Sequence, residues 1–241
     1  MTKENTHTYR TTARVVGVIY LAGFVVGIGG FGLFHSILGA PNYLTTVSAN
    51  SLLLAIGAIL WLLAVVGDAA HGVLLFPILK PHNERIAVGY LAFRIMDAVF
   101  NAIMVLFILL QIPLGSEYLK AAAADASALQ ALGRLFTQGQ LYAYEIGMSM
   151  LGISSLLLCS TLYKANLVPR WLAIWGLLGY AIILVGMVSA VMGSGLGDLF
   201  SLPGGLWEVF MGVWLIAKGF NASAFDPQAI RTSAPAEPLV A

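Results

Sequence analysis

The chain has 241 residues, of which 59% are hydrophobic and only 10% charged, with a formal net charge of +1 and a mean hydropathy of +0.89. A soluble domain carries about a quarter charged residues, so this composition excludes an ordinary water-soluble fold and equally a disordered, collagen-like or disulfide-stapled one. The single cysteine, Cys159, cannot form an intramolecular disulfide, and no basic stripe is present to bind nucleic acid.

Crossing a hydrocarbon core of about 30 Å takes about 20 helical residues. Six apolar stretches approach or exceed that length: residues 14–38, 51–79, 86–112, 136–163, 171–192 and 204–220. The first follows Lys3, Arg10 and Arg14 but is too long for a signal-peptide core and lacks an A-x-A cleavage site, so it reads as a retained helix. Between the second and third stretches, Pro81-His82-Asn83-Glu84-Arg85 is a short turn. Residues 116–134, with Leu119, Ala122, Leu129 and Leu132 near helical spacing, read as a short helix lying on the membrane surface. The tail from Asn221, with Pro227, Pro235 and Pro238, reads as disordered.

Lys3, Arg10, Arg14, Lys80, Arg85, Lys164, Arg170, Lys218 and Arg231 fall on one side of this layout, and Lys120 and Arg134 on the other. Positive residues concentrate in cytoplasmic segments, so both termini are expected in the cytoplasm. The fold expected is all-α, a polytopic membrane bundle of six transmembrane helices over residues 1–220, with a cytoplasmic tail over 221–241. The two halves share no pattern of charged positions, so an inverted-repeat transporter has no support.

Gly27-Ile28-Gly29-Gly30-Phe31-Gly32 matches G-x-G-x-x-G, yet no strand precedes it and no acidic partner follows in a βαβ unit. Gly23, Gly27 and Gly30 are instead expected to form a small-residue face that lets two helices approach closely. Asn221-Ala222-Ser223 has the glycosylation pattern but sits at the inner end of the last span, where it is expected to be unused.

Ionisable residues inside the spans carry the functional signal, because each costs about 2.5–3.5 kcal/mol at a helix centre. They are Asp68, His71, Arg94, Asp97, Glu145 and Glu208. Asp68 and His71 share one helix face, as do Arg94 and Asp97, with Asn101 one turn further on. Measured from the turn between their helices, both pairs lie about 12–16 Å deep, so they are expected to meet, with Arg94 bound to Asp68 or Asp97. Glu208 falls near the same layer. Glu145 descends from the opposite side, with Gln138, Gln140 and Tyr142 nearby. Four carboxyls against one Arg leave an excess of acid that a proton or a bound cation must balance. HExxH and ExxH metal patterns are absent and His35 does not match His71 in depth, so neither a metal nor any other cofactor is expected.

The segments Arg10-Thr11-Thr12-Ala13-Arg14-Val15-Val16-Gly17-Val18-Ile19-Tyr20-Leu21, Phe93-Arg94-Ile95-Met96-Asp97-Ala98, Pro169-Arg170-Trp171-Leu172, Leu202-Pro203-Gly204-Gly205-Leu206-Trp207-Glu208 and Trp214-Leu215-Ile216-Ala217-Lys218-Gly219-Phe220 resemble a family of bacterial integral membrane proteins catalogued as domain of unknown function 4386. The resemblance implies a multi-span protein of the bacterial inner membrane and assigns no substrate or residue role.

The function expected from these residues is binding or transport of a small cationic or amphipathic molecule with proton coupling. Asp68, His71, Arg94, Asp97, Asn101, Glu145 and Glu208 would form the ligand- or proton-binding set, with His71 as a relay. Membrane lipids are the expected surroundings. Two other classes stay open: an intramembrane enzyme acting on a lipid or isoprenoid through a carboxyl general acid, and a structural or regulatory membrane partner. A cavity open to one or both membrane faces points to transport, a chamber open sideways to lipid and ending at a carboxyl points to the enzyme, and a closely packed cluster with every carboxyl paired points to the structural class.

Overall fold

The computed structural model describes residues 3–194 and 197–233. Its regular structure is entirely helical: α1 (Lys3–Leu38), α2 (Tyr43–Ala49), α3 (Ser51–Leu79), α4 (Glu84–Lys120), α5 (Ala123–Lys164), α6 (Arg170–Val191), α7 (Gly197–Phe200), α8 (Leu202–Ala217), a 3-10 turn at Ala222–Phe225 and α9 (Pro227–Ser233). Five of these, α1, α3, α4, α5 and α6, are long and apolar enough to cross a membrane. The most apolar stretch of α3 has a mean hydropathy of 2.3, yet only 22% of it is buried within the protein. Large aliphatic side chains such as Val25 (74% exposed) cover the outside, a surface that lipid rather than water tolerates. The sixth apolar helix, α8, has 16 residues and so spans about 24 Å, less than a full hydrocarbon core.

The long helices form a closed ring. Each packs beside its predecessor in the order α1, α3, α4, α5, α6 and α8, and α8 returns against α1. Two glycine pairs set the closest approaches. A methyl group on Gly17 would lie 2.6 Å from the Gly212 carbonyl oxygen, closing α1 on α8, and one on Gly30 would lie 2.7 Å from the Gly57 oxygen, closing α1 on α3. Of the three glycines expected to line a helix contact, only Gly30 does so. Around Gly23 a methyl group would meet nothing within 4 Å, and around Gly27 only Ala64 at 3.8 Å. The G-x-G-x-x-G run is continuous helix within α1.

Residues 116–134 do not form a separate surface helix. They are the ends of α4 and α5, 37 and 42 residues long, which continue past the spans and break only at Ala121 and Ala122, both in extended conformation. The sequence there, rich in Ala and Leu, favours helix on both sides of the break. The two helices support each other, with Gln111 Nε2 donating to Thr137 Oγ1 (3.3 Å) and Gln130 Nε2 to Tyr118 Oη (2.9 Å).

At the other end of the ring, the N-terminal part of α1, the α3–α4 turn, the α5–α6 turn and the segment after α8 come together. Asn83 Oδ1 accepts from Ile86 N and caps α4. Asn166, at φ +51°, turns the chain out of α5; its carbonyl and that of Leu167 accept from Asn221 Nδ2 and N. Phe225 is buried, stacked on Tyr9 at 4.0 Å and 5.9 Å from His82. The expectation of disorder from Asn221 therefore fails over 222–233, because Ala224 and Phe225 supply apolar surface that the helix ends bury; residues 234–241 lie outside the described residues. Arg10, Arg14, Lys80, Arg85, Lys164, Arg170 and Lys218 gather at this end, and Lys120 and Arg134 at the opposite one.

Two measurements check this architecture. Gly17→Ala forces a methyl against backbone and is expected to cost about 1–3 kcal/mol in thermal unfolding in detergent, whereas Gly32→Ala, with open space around it, costs nothing. Burial lowers the His82 pKa from its ordinary value. The stabilisation it gives is then complete above the unfolded value of about 6.5 and lost as pH falls below it toward the folded one. Proteolysis after Phe225 should accelerate below about pH 6.5, and His82→Phe should remove that pH dependence.

Candidate functional site

Arg94 is the centre of a network that joins three helices of the ring. It projects from α4 toward α3, where Gly72 makes room: a methyl there would sit 3.2 Å from Arg94 Cβ. Arg94 Nη2 donates to Asp68 Oδ1 at 2.5 Å, Nε donates to the Asp68 carbonyl at 3.2 Å, and Nη1 donates to Asp97 Oδ2 at 3.3 Å. Both expected carboxylates are engaged at once. The second contact of Nη2 is His71 Nδ1 at 3.1 Å. Guanidinium only donates, so Nδ1 of His71 accepts and Nε2 carries the hydrogen, which it gives to the Val16 carbonyl of α1 at 3.3 Å. Both ring nitrogens of His71 are thus engaged, Nδ1 as acceptor and Nε2 as donor.

Asp97 is completed from its own helix. Asn101 Nδ2 donates to Asp97 Oδ1 at 2.9 Å, and Asn101 Oδ1 accepts from Trp61 Nε1 at 3.2 Å. Gly147 of α5 lets this amide fit, since a methyl there would lie 2.8 Å from Asn101 Nδ2. The Arg94 and Asp97 side chains are 3% and 1% exposed, whereas that of Asp68 is 36% exposed. The network thus has a sealed side at Asp97 and an open side at Asp68.

The open side faces a cavity of about 590 Å³ lined by α1, α3, α4, α5, α6 and the segment from Ser201 into α8, within the usual range of about 300–1,000 Å³ for small-ligand sites. Asp68, His71, Asp97, Asn101 and Glu208 supply its polar wall; Tyr20, Phe24, Phe31, Trp61 and Tyr144 supply much of the rest. Glu208 Oε1 accepts from Tyr180 Oη at 2.8 Å, and among the described residues no cation lies within ion-pairing distance of it. The Tyr20 ring packs on His71 with centroids 4.0 Å apart and planes tilted by 33°, and behind it Trp207 donates through Nε1 to the Leu172 carbonyl at 2.7 Å. Among the described residues no three His, Cys, Asp or Glu side chains converge as a metal-ligand set.

Six of the seven residues singled out from sequence thus come together, Arg94 behind the wall and the other five on it. Glu145 does not join them. Its neighbours Tyr144 and Met148 line the cavity, while Glu145 lies on the face shared with Gly152, where a methyl would meet Leu184 of α6 at 3.0 Å. A single helical step of 100° turned it away, which depth counting does not register. Sequence reasoning missed Tyr180, Trp61 and Tyr20. Their signal was a polar aromatic in mid-span, away from the interfaces where Tyr and Trp concentrate.

Removing one member of a buried ion pair strands the other at a cost of about 3–5 kcal/mol. Arg94→Met should therefore destabilise by about that amount in unfolding measured in detergent. Adding Asp97→Asn should restore more of the loss than adding Asp68→Asn, because both border the cavity but the Asp97 side chain is only 1% exposed and that of Asp68 36%. An Arg94→Met protein as stable as the parent would refute this account of the network.

No curated protein and no solved structure shows a match to this chain. The family described as a domain of unknown function (DUF4386) matches residues 15–219, a stretch holding every residue of the network and the cavity wall, and the chain belongs to that family.

Proposed function

We propose that this protein is a multi-pass component of the bacterial inner membrane that binds a small cationic or amphipathic molecule in the Asp68–Glu208 cavity and moves it in exchange for protons. In this reading α8 counts as a sixth span, and the nine basic residues mark the cytoplasmic side, with both termini on it. One observation carries the proposal: three carboxyls, Asp68, Asp97 and Glu208, accompany a single cation, Arg94, around a cavity with aromatic walls. When all three are ionised the wall carries a surplus of negative charge in a poorly solvated place. A bound organic cation balances it and gains from the aromatic faces; in its absence, protons do the same. Acid then competes with the ligand, and binding weakens as pH falls.

The lipid-directed enzyme is the second reading, favoured by the Tyr180–Glu208 hydrogen bond at the end of the same cavity and by the lipid-facing Ile28 and Leu206 in its lining. There Glu208 would be the general acid.

The test uses purified protein in phosphatidylcholine vesicles with tetraphenylphosphonium as the probe. Saturable binding is expected, weakened at least tenfold by Asp68→Asn and by Glu208→Gln and accompanied by proton release into weak buffer. Binding unchanged in both variants would refute the proposal.

A further inference from the structure

The cavity has an opening on the lipid-facing side of the ring. Ile28 and Phe31 of α1, with Leu202 and Leu206 of α8, belong to its lining, yet all are exposed on the outside of the bundle, Ile28 by 64% and Leu206 by 61%. Toward the end that holds Phe225 the gap between α1 and α8 is shut by the Gly17–Gly212 contact and by Tyr20, Trp207, Met211 and Leu215. Toward the other end Phe34, Trp61 and Tyr144 interlock, with Phe34–Trp61 and Trp61–Tyr144 ring separations of 5.7 and 6.2 Å. Between these closures runs the strip of α1 that carries Gly23 and Gly27. A methyl on Gly23 would meet nothing within 4 Å and one on Gly27 only Ala64 of α3 at 3.8 Å, so both leave room inside the cavity. Phe24 reaches across to α8, where a methyl on Gly205 would lie 3.3 Å from its ring, and the slot to lipid lies beside it, between Ile28 and Phe31 of α1 and Leu202 and Leu206 of α8. From Tyr20 to Phe31 the slot runs about 16 Å along α1. Its outer part is apolar, and its inner end holds the carboxyls of Asp68 and Glu208.

The geometry points to a ligand that arrives from within the bilayer: an amphiphile with a cationic head and an apolar tail, passing sideways between α1 and α8. This deepens the proposed function and rests on it. The head reaches Asp68 and Glu208 while the tail stays in the slot or in the lipid beyond Leu202 and Leu206. A neutral amphiphile leaves the carboxyl surplus unbalanced, and an anionic one is repelled. The tail keeps its hydrocarbon surroundings along the whole route, so it crosses no water.

The experiment compares two spin-labelled cations that share a quaternary ammonium on TEMPO and differ in the tail: 4-(dimethylhexadecylammonio)-TEMPO and 4-trimethylammonio-TEMPO. Each is added to the full-length protein in phosphatidylcholine vesicles, and the motionally restricted fraction is read by electron paramagnetic resonance. The hexadecyl probe is expected to show a saturable restricted component, lost in Asp68→Asn, whereas the trimethyl probe shows none at the same concentration. The double variant Gly23→Leu, Gly27→Leu should reduce the restricted fraction at least tenfold while thermal unfolding confirms an intact fold. Val25→Leu, on the outside of the same helix, should leave it unchanged. Equal restriction of both probes, or full restriction in the double-leucine variant, would overturn sideways access and leave cation binding standing. Restriction of neither probe beyond the Asp68→Asn level would overturn the cation-binding function itself.

Discussion

Everything at the centre of this protein follows from the burial of one guanidinium in a membrane bundle. Arg94 cannot lose its proton, and at its depth water does not solvate it, so the fold has to surround it with acceptors. It does so with two carboxylates, a backbone carbonyl and a neutral imidazole. Each of those acceptors then needs its own support: Asn101 and Trp61 behind Asp97, and the Val16 carbonyl behind His71. The chain of requirements runs from α4 through α3 to α1 and fixes how these three helices face one another. A connected network of this kind gives strong geometric specificity even where its net contribution to stability is small.

The same network explains why the interior is not simply closed. Apolar packing between helices gains little over packing against lipid, so membrane helices rely on close backbone approach and on polar contacts. Gly17 against Gly212 and Gly30 against Gly57 supply the first, and the Arg94 network supplies the second. Between these fixed points α8 is short and α1 is bare at Gly23 and Gly27, and there the ring leaves a cavity. Asp68 joins the two aspects. It is half of an ion pair on one side and part of a cavity wall on the other, which a purely structural pair would not need to be.

Glu208 shows how position changes the meaning of a residue type. Its carboxyl shares the cavity with Asp68 and accepts from the Tyr180 hydroxyl, and among the described residues no cation pairs with it. A carboxyl so placed, with one good donor and an opening toward lipid, suits exchange of a proton against a bound cation or delivery of a proton to a bound substrate. Membership of a family defined only by shared sequence adds that the arrangement lies within the family's own boundaries and does not select between these chemistries.

Composition and apolar run length by themselves determined the solvent, the all-helical class and the succession of apolar helices, because a backbone in hydrocarbon must satisfy its hydrogen bonds within each segment. The spacing of Asp68 with His71 and of Arg94 with Asp97 on helices joined by a short turn also determined that they meet, since rise per residue fixes depth. What depth does not fix is rotation about each helix axis, and there only the tertiary structure decided. It turned Glu145 away from the cavity lining, left Gly23 and Gly27 beside the cavity instead of in a close helix contact, and brought Tyr180 to Glu208 from 28 residues away. The docking of Phe225 and of the chain around it belongs to the same category. Each depends on surface offered by a distant part of the chain, and local propensity carries no information about that surface.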